Sequence, residues 1–345
     1  EGTAGSAYTN GYKGNRPAIA AIARNTYYNS GVGLTITTED ASKIKDLSTV
    51  AADCTAEDGC ILTGTLNGNY KITIADGATV LLNGVTINGT NNSSYAWAGL
   101  NCNGDATIIL KDGTTNTVKG FYEDYPGIHV PSGSTLIIKG ETSGTGELYA
   151  SSNDDTNNSG AGIGGGWNLA CGNIEIQGGV INATGSTCAA GIGSNNQACG
   201  NITISGGTVT ATGGSSGAGI GSGCGNGIVE NCGNITISGG TVTATGGYNS
   251  AGIGSGYMGK CGDITIAGTV TRVAAPMGVG ASYSIGRGYG GSCGTVTIGG
   301  DEGSISTSPY IYAPLTWGSG FISSISLNGS GNVSQGGIKA GLSGI

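Results

Sequence analysis

The residues best suited to chemistry in this 345-residue chain gather in three insertions, TNNSSYAWAG, KGFYEDYPG and SSNDDTNNSG. They hold Tyr95, Trp97, Phe121, Tyr122 and Tyr125 beside Glu123, Asp124, Asp154 and Asp155, in a chain with only 3 Trp and 2 Phe. Aromatic rings offer flat apolar faces that stack on the C–H face of a sugar, and carboxylates bind hydroxyls or hold calcium through oxygen ligands. The five aromatics are therefore a candidate carbohydrate site, and Glu123, Asp124, Asp154 and Asp155 candidate calcium ligands. A second reading stays open at this point: the rings pack the insertions onto the body of the protein, and the acids are solvated.

Catalysis finds less material. Cleaving an acidic polysaccharide calls for carboxylates clustered around a cation, with an Arg or Lys base beside them. Glu175 and Asp263 are isolated among Thr, Ser, Asn and Gly, and Arg272 and Arg287 have no carboxylate runs near them. The single histidine, His129, flanks the apolar Ile128 and reads as a surface side chain. No catalytic residue is assigned, and no enzyme is expected. The ten cysteines include no C-x-x-C pair and no zinc pattern with the one His, so disulfides in an oxidising compartment are expected. Cys54 with Cys60, and Cys224 with Cys232 or Cys199, are local candidates; a buried column of free thiols is the alternative.

What must position these residues is a repeat. CGNIEIQGGVINATGSTCAAGIGS from Cys171 returns as CGNITISGGTVTATGGSSGAGIGS from Cys199 and CGNITISGGTVTATGGYNSAGIGS from Cys232, then in shorter form from Cys261 and Cys293. The spacings are 28, 33, 29 and 32 residues, one supersecondary unit each. Each unit reads as three short strands with glycine-rich corners, Asn201 to Ser205, Thr208 to Thr212 and Ala218 to Ser222 in the second copy. Alternation turns Ile202, Ile204, Val209, Ala211 and Ile220 inward and Thr203, Thr208, Thr210 and Thr212 outward. Stacking such coils pairs each strand with its equivalents above and below, and buries an Ile/Val core that no single coil could bury. The expected fold is all-β, a right-handed parallel β-helix with three strands per coil.

The frame extends backward, with Leu100, Ile128, Ile163, Ile192, Ile220, Ile253 and Ile285 in one core column, and the solenoid is expected to begin near Leu62. The division is an N-terminal segment and cap over 1–60 and a single β-helix over 61–345. Within the latter, coils 61–170 carry the loops, coils 171–294 are regular, and coils 295–345 are irregular. RPAIAAIARNTYY, with Pro17 at a helix start, is expected to be a capping helix. The carboxy-terminal GGIKAGLSGI offers no comparable cover.

Two outward faces invite further readings. In A-G-I-G-S the glycines flank an inward Ile, so Gly162, Gly164, Gly191, Gly193, Gly219, Gly221, Gly252 and Gly254 form a face without side chains. Either something approaches that backbone closely, such as a neighbouring protomer, or the coil corners are tight. Thr208, Thr210 and Thr212 lie above Thr241, Thr243 and Thr245, with Thr269 and Thr271 expected next; Thr is favoured in any strand.

Composition narrows the partners. Gly is 72 of 345 residues, Lys and Arg total 13 and the net charge is −8, so no basic stripe is present to attract nucleic acid. No apolar run approaches the length of a membrane span, so no membrane insertion is expected. The chain opens at Glu1 without Met, and export with the leader removed is the expectation.

From Leu62 to Ala150 the runs LTGTLNG, ATVLLNGVTI, ATIILKDGTTNTVKG and PGIHVPSGSTLIIKGETSGTGELYA resemble the secreted β-helix family described as carbohydrate-binding in cellulolytic and gut anaerobes. The GNITISGGTVTATGG and AGIGSG copies resemble repeats of surface proteins of the same bacteria. The likeness implies binding of acidic or plant cell-wall polysaccharide, with calcium as the implied cofactor, on a fold shared with pectin-cleaving lyases. It transfers no ligand residue one by one. The expectation is a secreted, non-catalytic polysaccharide-binding and adhesion protein of the bacterial cell surface. The alternative is a structural subunit of an extracellular filament or surface layer, self-associating through the glycine face and coil ends; a lyase-like enzyme is third.

Overall fold

The motif C-G-N/D-I-T-I shows why the chain coils. In the computed structural model its isoleucines point inward, and its Asn or Asp joins one coil to the next. The amide of Asn201 donates to Oδ1 of Asn173, that of Asn234 to Asn201 and that of Asp263 to Asn234, each at 2.9 Å, and the amide of Thr295 donates to Asp263 at 2.7 Å. The same ladder begins upstream, where Asp105 donates to Asp76 and Thr135 to Asp105. Each of these side chains satisfies a corner amide of the following coil, which has left the sheet ladder there. The preceding glycine is required by this approach: a Cβ at Gly200 would meet Oδ1 of Asn173 at 2.5 Å. Asn116, fully buried, links three coils in the same manner, accepting from the Val85 amide and donating to the Glu147 carbonyl.

The structure describes residues 41–153, 160–225, 231–267, 269–281 and 283–299, with the strands Thr26–Gly31, Gly33–Thr38, Tyr310–Tyr312 and Ile325–Asn328. The chain divides into residues 1–45 and 46–345. In the first unit Thr26–Gly31 pairs antiparallel with Gly33–Thr38. The expected capping helix therefore fails over Thr26, Tyr27 and Tyr28, where aromatic and β-branched residues flanking a glycine turn favour a hairpin. The rest of that segment lies outside the described residues.

The second unit is a parallel β-solenoid, in keeping with the right-handed parallel β-helix expected from the repeat. First-strand positions stack from Ala106–Leu110 through Thr135–Gly140, Asn173–Ile176, Ile202–Ile204, Ile235–Ile237 and Ile264–Ile266 to Val296–Gly299. Second-strand positions stack through Thr115–Lys119, Glu147–Ser151, Val180–Thr184, Thr208–Thr212 and Thr241–Thr245 to Arg272–Ala274 and Tyr310–Tyr312. The third strands form a nine-stranded sheet among the described residues, running from Cys54–Ala56 to Ile285–Gly286. Its register joins Leu100, Ile128, Ile163, Ile192, Ile220, Ile253 and Ile285 in the expected column. Coiling starts before Leu62, because Cys54–Ala56 already pairs with Ile72–Ile74, and Leu47 and Ala56 are buried in the core. The irregular sequence after Thr295 still supplies in-register rungs, with Ile325–Asn328 on Val296–Gly299. The GGIKAGLSGI segment lies outside the described residues.

Candidate functional site

The described residues of the three insertions lie along one edge, as their common position before the third strand requires. Main-chain bonds stack them: Asn92 donates to the Phe121 carbonyl, Phe121 to Trp97, Gly160 to Glu123 and Ser186 to Gly160. Their aromatic rings, however, turn toward the coil. Phe121 is only 1% exposed, Trp97 lies 5.8 Å from it, and Tyr95 meets Trp97 edge-on at 5.4 Å, packed on the core. Edge-on and tilted packing of this kind gains energy only when the rings leave water. Three of the five proposed sugar-binding rings thus form a small satellite core, and Tyr122 and Tyr125 remain half-buried at its margin.

The acids separate in a similar way. Glu123 and Asp124 are half-buried, while Asp154 and Asp155 lie outside the described residues. Burial holds the Asp124 carboxyl above the usual carboxylate range, and its buried Oδ1 has no hydrogen-bond partner among the described residues. Calcium takes six to eight oxygen ligands. Glu123 and Asp124 alone do not fit that demand, and no group of three His, Cys, Asp or Glu able to hold a metal occurs among the described residues.

The side chains considered for catalysis are placed as follows. His129 is half-buried and donates from Nε2 to the Ala170 carbonyl at 3.1 Å, and burial keeps its ring below the ordinary imidazole pKa. Arg287 lies over the Tyr283 ring at 5.7 Å. Arg272 stands between Thr241 and Tyr310 across the sheet. Glu175 accepts from the side-chain Nε2 of Gln177, and Asp263 serves the corner ladder.

The glycine face is not a surface. Gly162, Gly164, Gly191, Gly193, Gly219, Gly221, Gly252 and Gly254 are all buried against main chain: a Cβ at Gly191 would meet Thr212 and one at Gly193 the Gly221 carbonyl, both of the following coil. The bond pattern is regular: the residue four places after the core Ile donates its amide to the carbonyl four places before the Ile of the preceding coil. Trp167 donates to Asp124, Cys224 to Cys188, Tyr257 to Ser216 and Tyr289 to Asn249, at 2.7 to 3.1 Å. The loops so joined form a wall along the solenoid, and the glycine strand itself, pressed on the next coil, has no room for a Cβ. Gly221 holds φ +133° with its Cβ direction aimed at the Gly254 carbonyl, and Gly193 and Gly254 repeat the arrangement. The tight-corner reading therefore replaces lateral packing through bare glycines.

The wall carries residues that the sequence reading missed. Tyr248 is 58% exposed and Tyr289 57%, with Met258 also exposed, and the Tyr257 and Tyr289 rings run parallel on successive coils at 6.1 Å. For Tyr257 and Tyr289 the signal was available as position: counting four from the core Ile gives Trp167, Asn196, Cys224, Tyr257 and Tyr289. The threonine array is in register over Thr208, Thr210 and Thr212 with Thr241, Thr243 and Thr245. It stops there, since Arg272 and Ala274, rather than Thr269 and Thr271, take the next rung.

The expected disulfides are likewise corrected. Cys171, Cys199, Cys232, Cys261 and Cys293 form the expected column but are free thiols, as are Cys102, Cys188 and Cys224. Each inner member has an equivalent on both sides, so none has a unique partner, and a buried thiol packs as a small apolar side chain. Their S–H groups reach main-chain oxygens, Cys171 that of Gly193 and Cys199 that of Gly172.

No helix among the described residues is long and apolar enough to cross a membrane. Residues 174–196, 202–224 and 235–257 match a family model described as a beta helix repeat, each match beginning in a first strand and ending in the loop wall. No match was found among the curated proteins or the solved structures. Repeat match and coil geometry agree that this chain is a parallel β-helix repeat protein.

Proposed function

We propose that the protein is an extracellular, non-catalytic polysaccharide-binding protein of the cell surface, and that the glycan lies along the loop wall. One observation carries this reading: the exposed rings of Tyr248 and Tyr289, with Tyr257 stacked beside the latter, project from loops that follow one another along the solenoid axis. An extended polymer parallel to that axis meets several coils at once, and each added contact is intramolecular after the first. Tyrosine suits the task because it presents an apolar ring and a hydroxyl with little conformational freedom to lose. Tyr122 and Tyr125, at the margin of the buried Tyr95, Trp97 and Phe121 cluster, extend the same edge toward the early coils.

The test is glycan-array binding of the full chain, with and without calcium, followed by affinity electrophoresis on the retained polysaccharide. Tyr248→Ala and Tyr289→Ala should each weaken retention roughly 2- to 10-fold, the equivalent of one aromatic contact. Failure of the chain to retain any glycan, or unchanged retention by both variants, refutes the proposal.

A further inference from the structure

Cys188 and Cys224 stand apart from the other thiols. They belong to different coils, 188 in the loop before one third strand and 224 in the loop after the next, and the wall joins them directly: the Cys224 amide donates to the Cys188 carbonyl at 2.7 Å. A main-chain bond of that length sets the two backbones at strand-like separation, about 5 Å, inside the 4.4–6.8 Å that a disulfide spans. Their thiols are close enough that each shifts the ionisation of the other. Gly223 makes the approach achievable, because a Cβ there would strike the Cys188 carbonyl. Both residues are half-buried, whereas Cys171, Cys199, Cys232 and Cys261 are buried in the core.

We infer that Cys188 and Cys224 are an oxidisable dithiol site that closes to an intercoil disulfide by exchange with a low-molecular-weight disulfide. The Cys188 thiolate attacks one sulfur of that disulfide, the S–S bond breaks, and one thiolate leaves. Cys224, its proton taken up by the leaving thiolate, then attacks the Cys188 sulfur of the mixed disulfide, and the second small thiolate leaves and takes up the proton that Cys188 released. Two protein thiols are oxidised and one small disulfide is reduced to two thiols, so electrons and protons balance. The order follows from the ionisation of the pair: the neighbouring Cys224 holds the Cys188 thiol below the usual thiol range, and Cys188 together with burial holds Cys224 above it. The thiolate is the attacking species. Cys171, Cys199, Cys232 and Cys261 are buried away from a dissolved disulfide, so their ionisation does not expose them to it, although Cys199 and Cys261 hold the Cys232 thiol down at about 5 and are themselves raised by their neighbours and by burial. Oxidation therefore staples one wall contact and leaves the core column reduced.

The experiment uses the full chain, reduced and then equilibrated with mixtures of reduced and oxidised glutathione, quenched by acid, alkylated and mapped by mass spectrometry. The expected product is a single disulfide joining Cys188 to Cys224. In the reduced protein, native alkylation should label Cys188 at least about tenfold faster than the buried thiols Cys171, Cys199, Cys232 and Cys261. Cys188→Ser and Cys224→Ser should each abolish the disulfide; circular dichroism matching the parent shows that such a loss is not unfolding. Gly223→Ala, which separates the loops while keeping both thiols, should slow closure. The inference is overturned if no disulfide forms in strongly oxidising mixtures, if the bond maps to neighbours in the column, or if it persists in the Cys188→Ser chain.

Discussion

The corner ladder gives the sharpest prediction, with Asn201→Ala as the perturbation. Alanine keeps the amide that donates to Asn173 and removes the Oδ1 that accepts from the Asn234 amide at 2.9 Å. One bond is lost, at an exposed corner where water can replace it, so the cost is that of a net hydrogen bond, about 1 kcal/mol. That corresponds to roughly a 5-fold change in the local opening equilibrium. Asn201→Asp is the control, because it keeps an acceptor oxygen in place, and Asp263 already fills the equivalent position while accepting from Thr295. Amide hydrogen exchange is the appropriate assay, since a repeat protein need not unfold as one unit. The Asn234 amide should exchange about 5-fold faster in Asn201→Ala and within about 2-fold of the parent in Asn201→Asp, with amides several coils away unchanged. Equal acceleration in both variants, or an effect spread evenly along the solenoid, would refute the ladder as the link between coils.

Three shorter predictions follow. Ile220, fully buried between Ile192 and Ile253, should cost about 2–5 kcal/mol as Ala and about 0.5–1.5 kcal/mol as Val in denaturant unfolding; equal costs would remove it from the core. Gly221→Ala should destabilise the chain by more than the roughly 1–3 kcal/mol of a strained backbone residue, because its Cβ also meets the Gly254 carbonyl; thermal melting reads this, and a neutral result contradicts the wall geometry. The Asp112 carboxylate accepts from the amides of Thr142, Ser143 and Thr145, which depress its folded pKa to about 2 from 3.8. Its contribution is therefore complete above pH 3.8 and disappears as pH falls through about 2. A carboxyl titration followed by NMR should place the Asp112 midpoint near 2, and a midpoint at or above 3.8 would show that the three amides do not hold it.

The parts of this molecule that were legible in its sequence are those governed by alternation and repetition. Ile202, Ile204, Val209 and Ile220 announce a period-two interior, and the recurring Cys171, Cys199, Cys232, Cys261 and Cys293 announce the coil. Both signals are local, because each residue type answers to its own strand. The face glycines were misleading for the opposite reason. Gly191 and Gly193 alternate with an inward Ile and so read as outward, but what covers them is main chain of the following coil, at Thr212 and Gly221, and that return of the chain leaves no compositional trace. The aromatic residues failed similarly. Trp97 and Phe121 carry the right chemistry for a ligand, and only the tilt of their loop decides whether the rings face solvent. Cys188 and Cys224 were not paired on reading, since their proximity depends on that same return.

The loop wall has a consequence for how such a chain can vary. Trp167, Cys224, Tyr257 and Tyr289 are secured through their backbone amides, and nothing in those bonds depends on the side chain. Identity at this position is free to change without disturbing register, as five different coils already show with Trp, Asn, Cys, Tyr and Tyr. The core column, by contrast, is Ile in every one of those coils. A lineage built on this plan can therefore rewrite its exterior residue by residue, and change its recognition without re-solving its fold.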